Sequence, residues 1–457
     1  MFPIIDELLD RFNDHFDTES IVIDDDAFEE GVEELKTHLP EGTWLVAGDS
    51  NTWEAAGAEF TARLDAADVD WERYVVDEPD DGSKPICTEA RIEAYEQALD
   101  DHGAVAGIAV GSGTINDIVK LASHHRELPM ACVGTAPSMN GYTSGIAAVL
   151  ADGVKTTIPC KAPRVVIADI DVMAQAPYCM LCSGLGDLMS KPVSNADWQL
   201  SAWLNGTPHS DDAMEIIETG ADMLDGVAPN LPERNPEAVA GLTASLMLSG
   251  LAMSVAGSSS PASGGEHLIS HFIDMTAFTH GKPHDFHGCQ VGVGTITSGF
   301  IYEKLRALEP DDIDIDARVD ALVPWEEYEA QLQERFGPLF EAVVEHARPG
   351  YPTEDELRAR LTKLCDEWDR LESEVARTLR TGMSLEEELR SAECPIRFSQ
   401  LGVDADRAYR AVTHSKDIRN RYTILHLGWE LGMLDEWARD ILARLAADDG
   451  TTHTPET

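Results

Sequence analysis

Five of the chain's fifteen histidines, His267, His271, His280, His284 and His287, lie within GGEHLISHFIDMTAFTHGKPHDFHGCQVGVGT, residues 264–295. Imidazole is the commonest metal ligand and the side chain that titrates near neutrality, so the cluster suits metal binding or proton transfer. His267 and His271 stand four apart, which on a helix puts both rings on one face. Glu266 precedes the first of them instead of following it, so the HExxH pattern of zinc proteases is absent. Upstream, Asp187 interrupts an apolar helical stretch in CSGLGDLMSKPVSNADWQLS, with Lys191 one turn later. Such a carboxylate needs a partner, and a metal or the lysine at i+4 would each serve. One Asp with two His would leave positions on a divalent ion for water and substrate. His280 and His284, in THGKPHDF, read as solvated bystanders.

Two other stretches carry chemistry. AVGSGTINDIVKLAS (109–123) reads as a strand, a turn with Gly111 and Gly113, and a helix. Glycines there let backbone amides approach a pyrophosphate, and the helix N-terminus adds partial positive charge. The full GxGxxG fingerprint is absent, because Asn116 stands where a third glycine would fall. GTAPSMNGYTSG (134–145) is a polar loop after the next strand, the place where open α/β sheets bind ligands. Taken singly, each of these features is explained about as well by an ordinary turn.

The elements that must position these residues alternate over the first 170 residues. Short apolar runs at 43–48, 73–77, 104–111 and 129–135 are separated by helical stretches at 52–67 and 88–101. Strands alternating with helices predict a parallel sheet covered on both faces. Asp152-Gly153 between two β-like runs signals a hairpin. From about Val172 onward the periodicity is helical. The expected fold class is α/β: an N-terminal parallel-sheet domain over 1–170, a mainly helical domain over 171–457, and an active site in the cleft between. The tail AADDGTTHTPET reads as disordered.

Length and composition narrow the function. A chain of 457 residues with 43% apolar residues and nine Trp supports two folded domains. Eighty-three acidic against thirty-four basic residues give a formal charge of −49, which repels nucleic acid and anionic lipid. An anionic substrate would need salt screening or a local cationic site, for which Lys191 is a candidate. The start, MFPIIDELLD, lacks a basic segment, so no secretory signal and a cytoplasmic location are expected. Residues 238–257 are uncharged but rich in Gly, Ser, Thr and Ala and have no basic flanks, which predicts a buried helix rather than a membrane span. Eight Cys read as reduced thiols, with the CxxC of Cys179 and Cys182 buried in a helix.

Together and in order, GSGTINDIVK, SMNGYTS, PASGGEHLISH and HGCQVGVGT resemble the sn-glycerol-1-phosphate dehydrogenases, within the iron-containing alcohol dehydrogenase and dehydroquinate synthase-like superfamily. The resemblance spans residues 46–436 and implies a Rossmann-like NAD(P) domain and a helical domain. It implies metal ligands Asp187, His267 and His287, with zinc, nickel or iron as the ion, and substrate contacts from His271, Asp187 and Asn140. Catalytic roles would fall to His271 and Asp187. Nucleotide contacts would come from Gly111, Gly113, Thr114, Ile115, Asn116 and Asp117, from Thr135, Ala136, Pro137 and Ser138, and from Ser144. The implied reaction is hydride transfer between NAD or NADP and a polyol phosphate, by a homo-oligomer. A dehydrogenase of another polyol, a dehydroquinate synthase-like lyase and a non-catalytic binding protein are the alternatives. Two positions depart from the family pattern: Asn140 stands where Asp is common, and Ser260 where Arg is common. Asn can donate hydrogen bonds that Asp cannot, and a lost Arg removes a fork suited to phosphate, so both bear on the substrate.

Overall fold

The computed structural model describes residues 2–77, 79, 85–151, 154–281 and 284–446. Among these, the chain divides into two compact units. The first comprises residues 1–188 and 211–258, the second residues 189–210 and those from 259 onward.

The first unit is built on six parallel strands: β1 (Ser20–Asp24), β2 (Trp44–Gly48), β3 (Trp71–Val75), β4 (Ala106–Gly111), β5 (Met130–Gly134) and, after a hairpin of β6 (Ile146–Ala151) and β7 (Val154–Pro159), β8 (Val165–Asp169). Their order is β1-β8-β5-β4-β2-β3. Residues of β2, β4, β5 and β8 are buried throughout, as apolar runs sandwiched by helices must be. Four of these strands match the apolar runs of the sequence; β1, SIVID at the sheet edge, is not among them. The hairpin forms where Asp152-Gly153 signals it, though those two residues lie outside the described ones, as does nearly all of the C-terminal tail.

The expected division at residue 170 does not coincide with the compact units. The helix Pro236–Ala256 belongs to the first unit, where it packs on the helices Ile170–Gln175, Tyr178–Leu188 and Asp211–Asp222 and on β1. This helix has a mean hydropathy high enough to cross a bilayer, yet it is buried over 89% of its most apolar window. It is a core helix, as its small residues predict: Ser245 Oγ donates to Gly220 O at 2.7 Å, and such side chains let neighbouring backbones approach. Local periodicity reveals helices but not which sheet they cover, so the return of 211–258 to the first unit is invisible in sequence.

The second unit is helical, with no strand among its described residues. The helices Gly265–His280 and His287–Arg306 cross closely at Gly294, where a Cβ would stand 2.7 Å from the backbone oxygen of Glu266. Any larger residue would force the two helices apart at the level of the histidines.

Candidate metal and nucleotide site

The chain leaves β2 toward β3 in one direction and β4 toward β5 in the other, so the strand order reverses between β2 and β4. Ligands of open α/β sheets bind at the carboxyl ends of strands at such a reversal. At that end β4 runs into Gly111-Ser112 and the helix Gly113–His125. Ser112 makes no side-chain cap, so the first-turn amides of Gly113, Thr114 and Ile115 form a helix N-terminus suited to an anion. These residues fit a dinucleotide pyrophosphate. The neighbouring loop starts at Thr135, whose N–H donates to Gly111 O at 3.2 Å.

The side chains farther along the same helix hold the fold. Asn116 Nδ2 donates to Gly141 O at 3.4 Å, and Asp117 Oδ2 accepts from Ala148 N at 3.1 Å. Sequence reasoning missed Lys120, which is fully buried and whose Nζ donates to Gly141 O, Ser144 O and Ile146 O at 2.7, 3.2 and 3.0 Å. A lysine three residues after Asp117, on the same helix face, was the available signal. Ala136 O accepts from Tyr142 OH at 2.7 Å, and Ser138 O from Ser183 Oγ at 2.9 Å. At Gly184 a Cβ would meet Pro137 O at 1.9 Å, so glycine is required for the helix Tyr178–Leu188 to lie on this loop.

That helix carries Asp187, which is 1% exposed. Asn140 grips it twice within the first unit: its N–H lies 3.2 Å from Oδ2 and its Nδ2 lies 3.4 Å from Oδ1. Asn140 Nδ2 also reaches Ser249 Oγ at 3.2 Å. An aspartate at 140 could not donate from its side chain and would face a second carboxylate, which gives the departure from the family pattern a physical reason. The expected Asp187–Lys191 spacing on one helix does not hold, because the helix ends at Leu188 and the next begins at Lys191. Lys191 is buried, and its Nζ donates to Ser190 Oγ at 3.3 Å. Of the CxxC pair, Cys182 is buried and Cys179 half-buried, and both are reduced.

In the second unit His267 and His271 share the helix Gly265–His280, and His287 opens the next. The ring centroids of His267 and His287 are 5.2 Å apart, and those of His271 and His287 5.4 Å. His267 Nδ1 donates to Glu266 Oε1 at 2.8 Å, and His287 Nδ1 lies 3.0 Å from Ser270 Oγ. Partners of this kind fix ring orientation and direct Nε2 toward a metal, so both imidazoles fit ligand roles. Glu266 and Ser270 are the contacts of these rings that spacing alone did not reveal. His284 is exposed, as expected, with Nδ1 3.8 Å from Asp274 Oδ1. The side chain of His280 lies outside the described ones.

Glu266 belongs to a buried acidic cluster. Asp197 accepts from Tyr302 OH at 2.6 Å, Gly265 N at 2.7 Å and Ile424 N at 2.6 Å. Burial, then the charge of Glu266, nonetheless pushes its carboxyl from 3.8 up to about 7. The folded state therefore holds a proton that the unfolded chain releases near 3.8, so this group's contribution to stability is full below that value and is lost as pH rises through about 7. The melting temperature should fall between about pH 5 and pH 7.5, and Asp197→Asn should flatten that slope even where it lowers the whole curve. A pH slope unchanged in the variant would assign the dependence to other groups.

The strand order is that of an open, doubly wound α/β sheet, and comparison with known proteins specifies the family. The family model of iron-containing alcohol dehydrogenases matches residues 22–177. The chain is 30% identical to the glycerol-1-phosphate dehydrogenase (NAD(P)+) of Bacillus subtilis, over 83% of each sequence. It is 39% identical to the enzyme of the same name from Pyrococcus horikoshii, over 47% of this chain and 62% of that one. The crystal structure of glycerol dehydrogenase from Schizosaccharomyces pombe superposes with a TM-score of 0.62 at 15% identity, covering 96% of this chain and 94% of that one. The chain belongs to the glycerol-1-phosphate dehydrogenase branch of the iron-containing alcohol dehydrogenase family.

Proposed function

We propose that the chain transfers hydride between NAD(P) and a polyol phosphate, with sn-glycerol 1-phosphate and dihydroxyacetone phosphate as the pair, and that Asp187, His267 and His287 hold one divalent ion, zinc first among the candidates. The observation that carries this reading is the pair of imidazoles held at Nδ1 by Glu266 and Ser270, a pairing that suits metal ligation. Similarity to enzymes named glycerol-1-phosphate dehydrogenase supports the substrate. A bound divalent ion supplies Lewis acidity to the substrate oxygen that becomes the carbonyl.

The chain's own residues do the rest. Glu266 and Ser270 hold the two rings, and Asn140 orients the Asp187 carboxylate. His271, half-buried beside His287, accepts the hydroxyl proton or passes it on. The first-turn amides after Gly111-Ser112 receive the pyrophosphate. The residues before the helical region would bind nucleotide and the later ones metal and substrate.

The test is a screen of sn-glycerol 1-phosphate, its 3-phosphate enantiomer, glycerol and other polyols with NAD+ and NADP+, with metal analysis of the same sample, at low and high salt. Reduced nicotinamide should form fastest with the 1-phosphate, and more readily at high salt, where the acidic surface is screened. Preference for an unphosphorylated polyol would overturn the substrate, and tightly retained NAD+ without net reduction would indicate a lyase.

A further inference from the structure

Within the second unit, one ligand atom from each of His271, Asp274 and His287 lies within 4.8 Å of the others. His271 and Asp274 are three residues apart on the helix Gly265–His280 and so share a face, while His287 begins the next helix. The rings of His271 and His287 are stacked with an interplanar angle of 20°. Asp274 is only 4% exposed, and Gln290 fixes its carboxylate by donating from Nε2 to Oδ1 at 2.7 Å and to Asp285 O at 3.1 Å. His284 approaches the same carboxylate, and Arg407 adds a positive field from the helix Ala405–His414 while bonding Ile273 O and Thr276 Oγ1. Two imidazoles and a carboxylate are the donor set of zinc, nickel and cobalt sites.

We propose that His271, Asp274 and His287 form a second divalent-metal seat, which shares His287 with the seat proposed for catalysis. With Nδ1 held by Ser270, His287 has one nitrogen to give, so an ion occupies one seat or the other. That exclusion rests on the proposed function; the second seat itself does not. His287 is common to both seats and Asp274 is buried as Asp187 is, so the half-buried His271 in place of the buried His267 makes the second seat the more accessible position, where an ion rests on entry. An ion there engages His271 and leaves the chain inactive.

The experiment uses the full chain, stripped with chelator and reloaded with Co2+, whose visible absorption reports its ligands. Stoichiometry, spectrum and activity are read for the wild type, Asp187→Ala, Asp274→Asn and the double variant, with circular dichroism confirming the fold. Asp274→Asn preserves size and can still accept from Gln290. The wild type and both single variants should bind one Co2+ per chain; Asp187→Ala should show an altered spectrum and no activity. The double variant should bind at least about 10-fold more weakly than either single variant. Complete loss of metal in Asp187→Ala would overturn the second seat and leave the catalytic assignment standing. A double variant that binds like Asp187→Ala would remove Asp274 from the ligands, and two ions per wild-type chain would overturn the exclusion. Full activity in Asp187→Ala would instead overturn the catalytic reading.

Discussion

His287→Ala should remove bound metal and NAD(P)-linked turnover together, in a chain that still folds. His287 opens the helix His287–Arg306 and is half-buried, so trimming it leaves the buried face of that helix, from Gly288 to Tyr302, in place. It is also the residue on which both proposed metal positions depend, so no neighbouring seat can rescue the ion. Lewis-acid stabilisation is worth several kcal/mol, which corresponds to a fall in kcat/KM of at least about 10²–10³-fold. Metal analysis beside steady-state kinetics checks it. Retention of stoichiometric metal would reject the ligand assignment, whatever the activity. Ser270→Ala, which takes away only the group that aims the ring, should weaken metal binding by about 10–100-fold instead of abolishing it.

Lys120→Met should lower the stability of the first unit measurably. The ammonium is fully buried, with three carbonyl oxygens around it and Asp117 Oδ1 at 3.9 Å. Methionine fills the volume but donates nothing, so Ser144 O loses its donor, while Gly141 O keeps Asn116 Nδ2 and Ser144 Oγ and Ile146 O keeps Ser144 Oγ at 3.5 Å. A buried group left unmet costs about 1–3 kcal/mol, and a loss of that size is expected here. Thermal or denaturant unfolding reads this directly. The same carbonyls belong to the loop that carries Asn140, so the KM for nucleotide and the metal affinity should worsen alongside stability. A variant as stable as the wild type would show that the loop is held by its other contacts, Tyr142 OH on Ala136 O and Thr143 Oγ1 on Met247 O.

Much of the architecture is legible in the sequence for local reasons. Continuous apolar runs bounded by Gly mark β2, β4 and β5, because strands covered on both faces need no polar alternation. The four-residue spacing of His267 and His271 places them on one helix face, and the small-residue run 238–257 reads as a buried helix, because both depend only on helical geometry. Ordered together, the glycine turn, the polar loop and the histidine stretch also specify the family.

Other features were decided by tertiary structure alone. Helical periodicity carries no address, so nothing local sends 211–258 back to the sheet unit. Sequence leaves a metal or Lys191 as the partner of Asp187; the helix ends between Asp187 and Lys191, and Asn140, from a distant loop, donates to the carboxylate. Asp197 looks like an ordinary helix residue until Tyr302, Ile424 and Gly265 converge on it in a dry interior, and burial beside Glu266 then changes what its carboxyl does. The sequence by itself determined which residues can do chemistry and on which elements they ride. Only the packed structure decided which of them are held, because orientation comes from hydrogen bonds between residues far apart in the chain, such as that of Gln290 to Asp274.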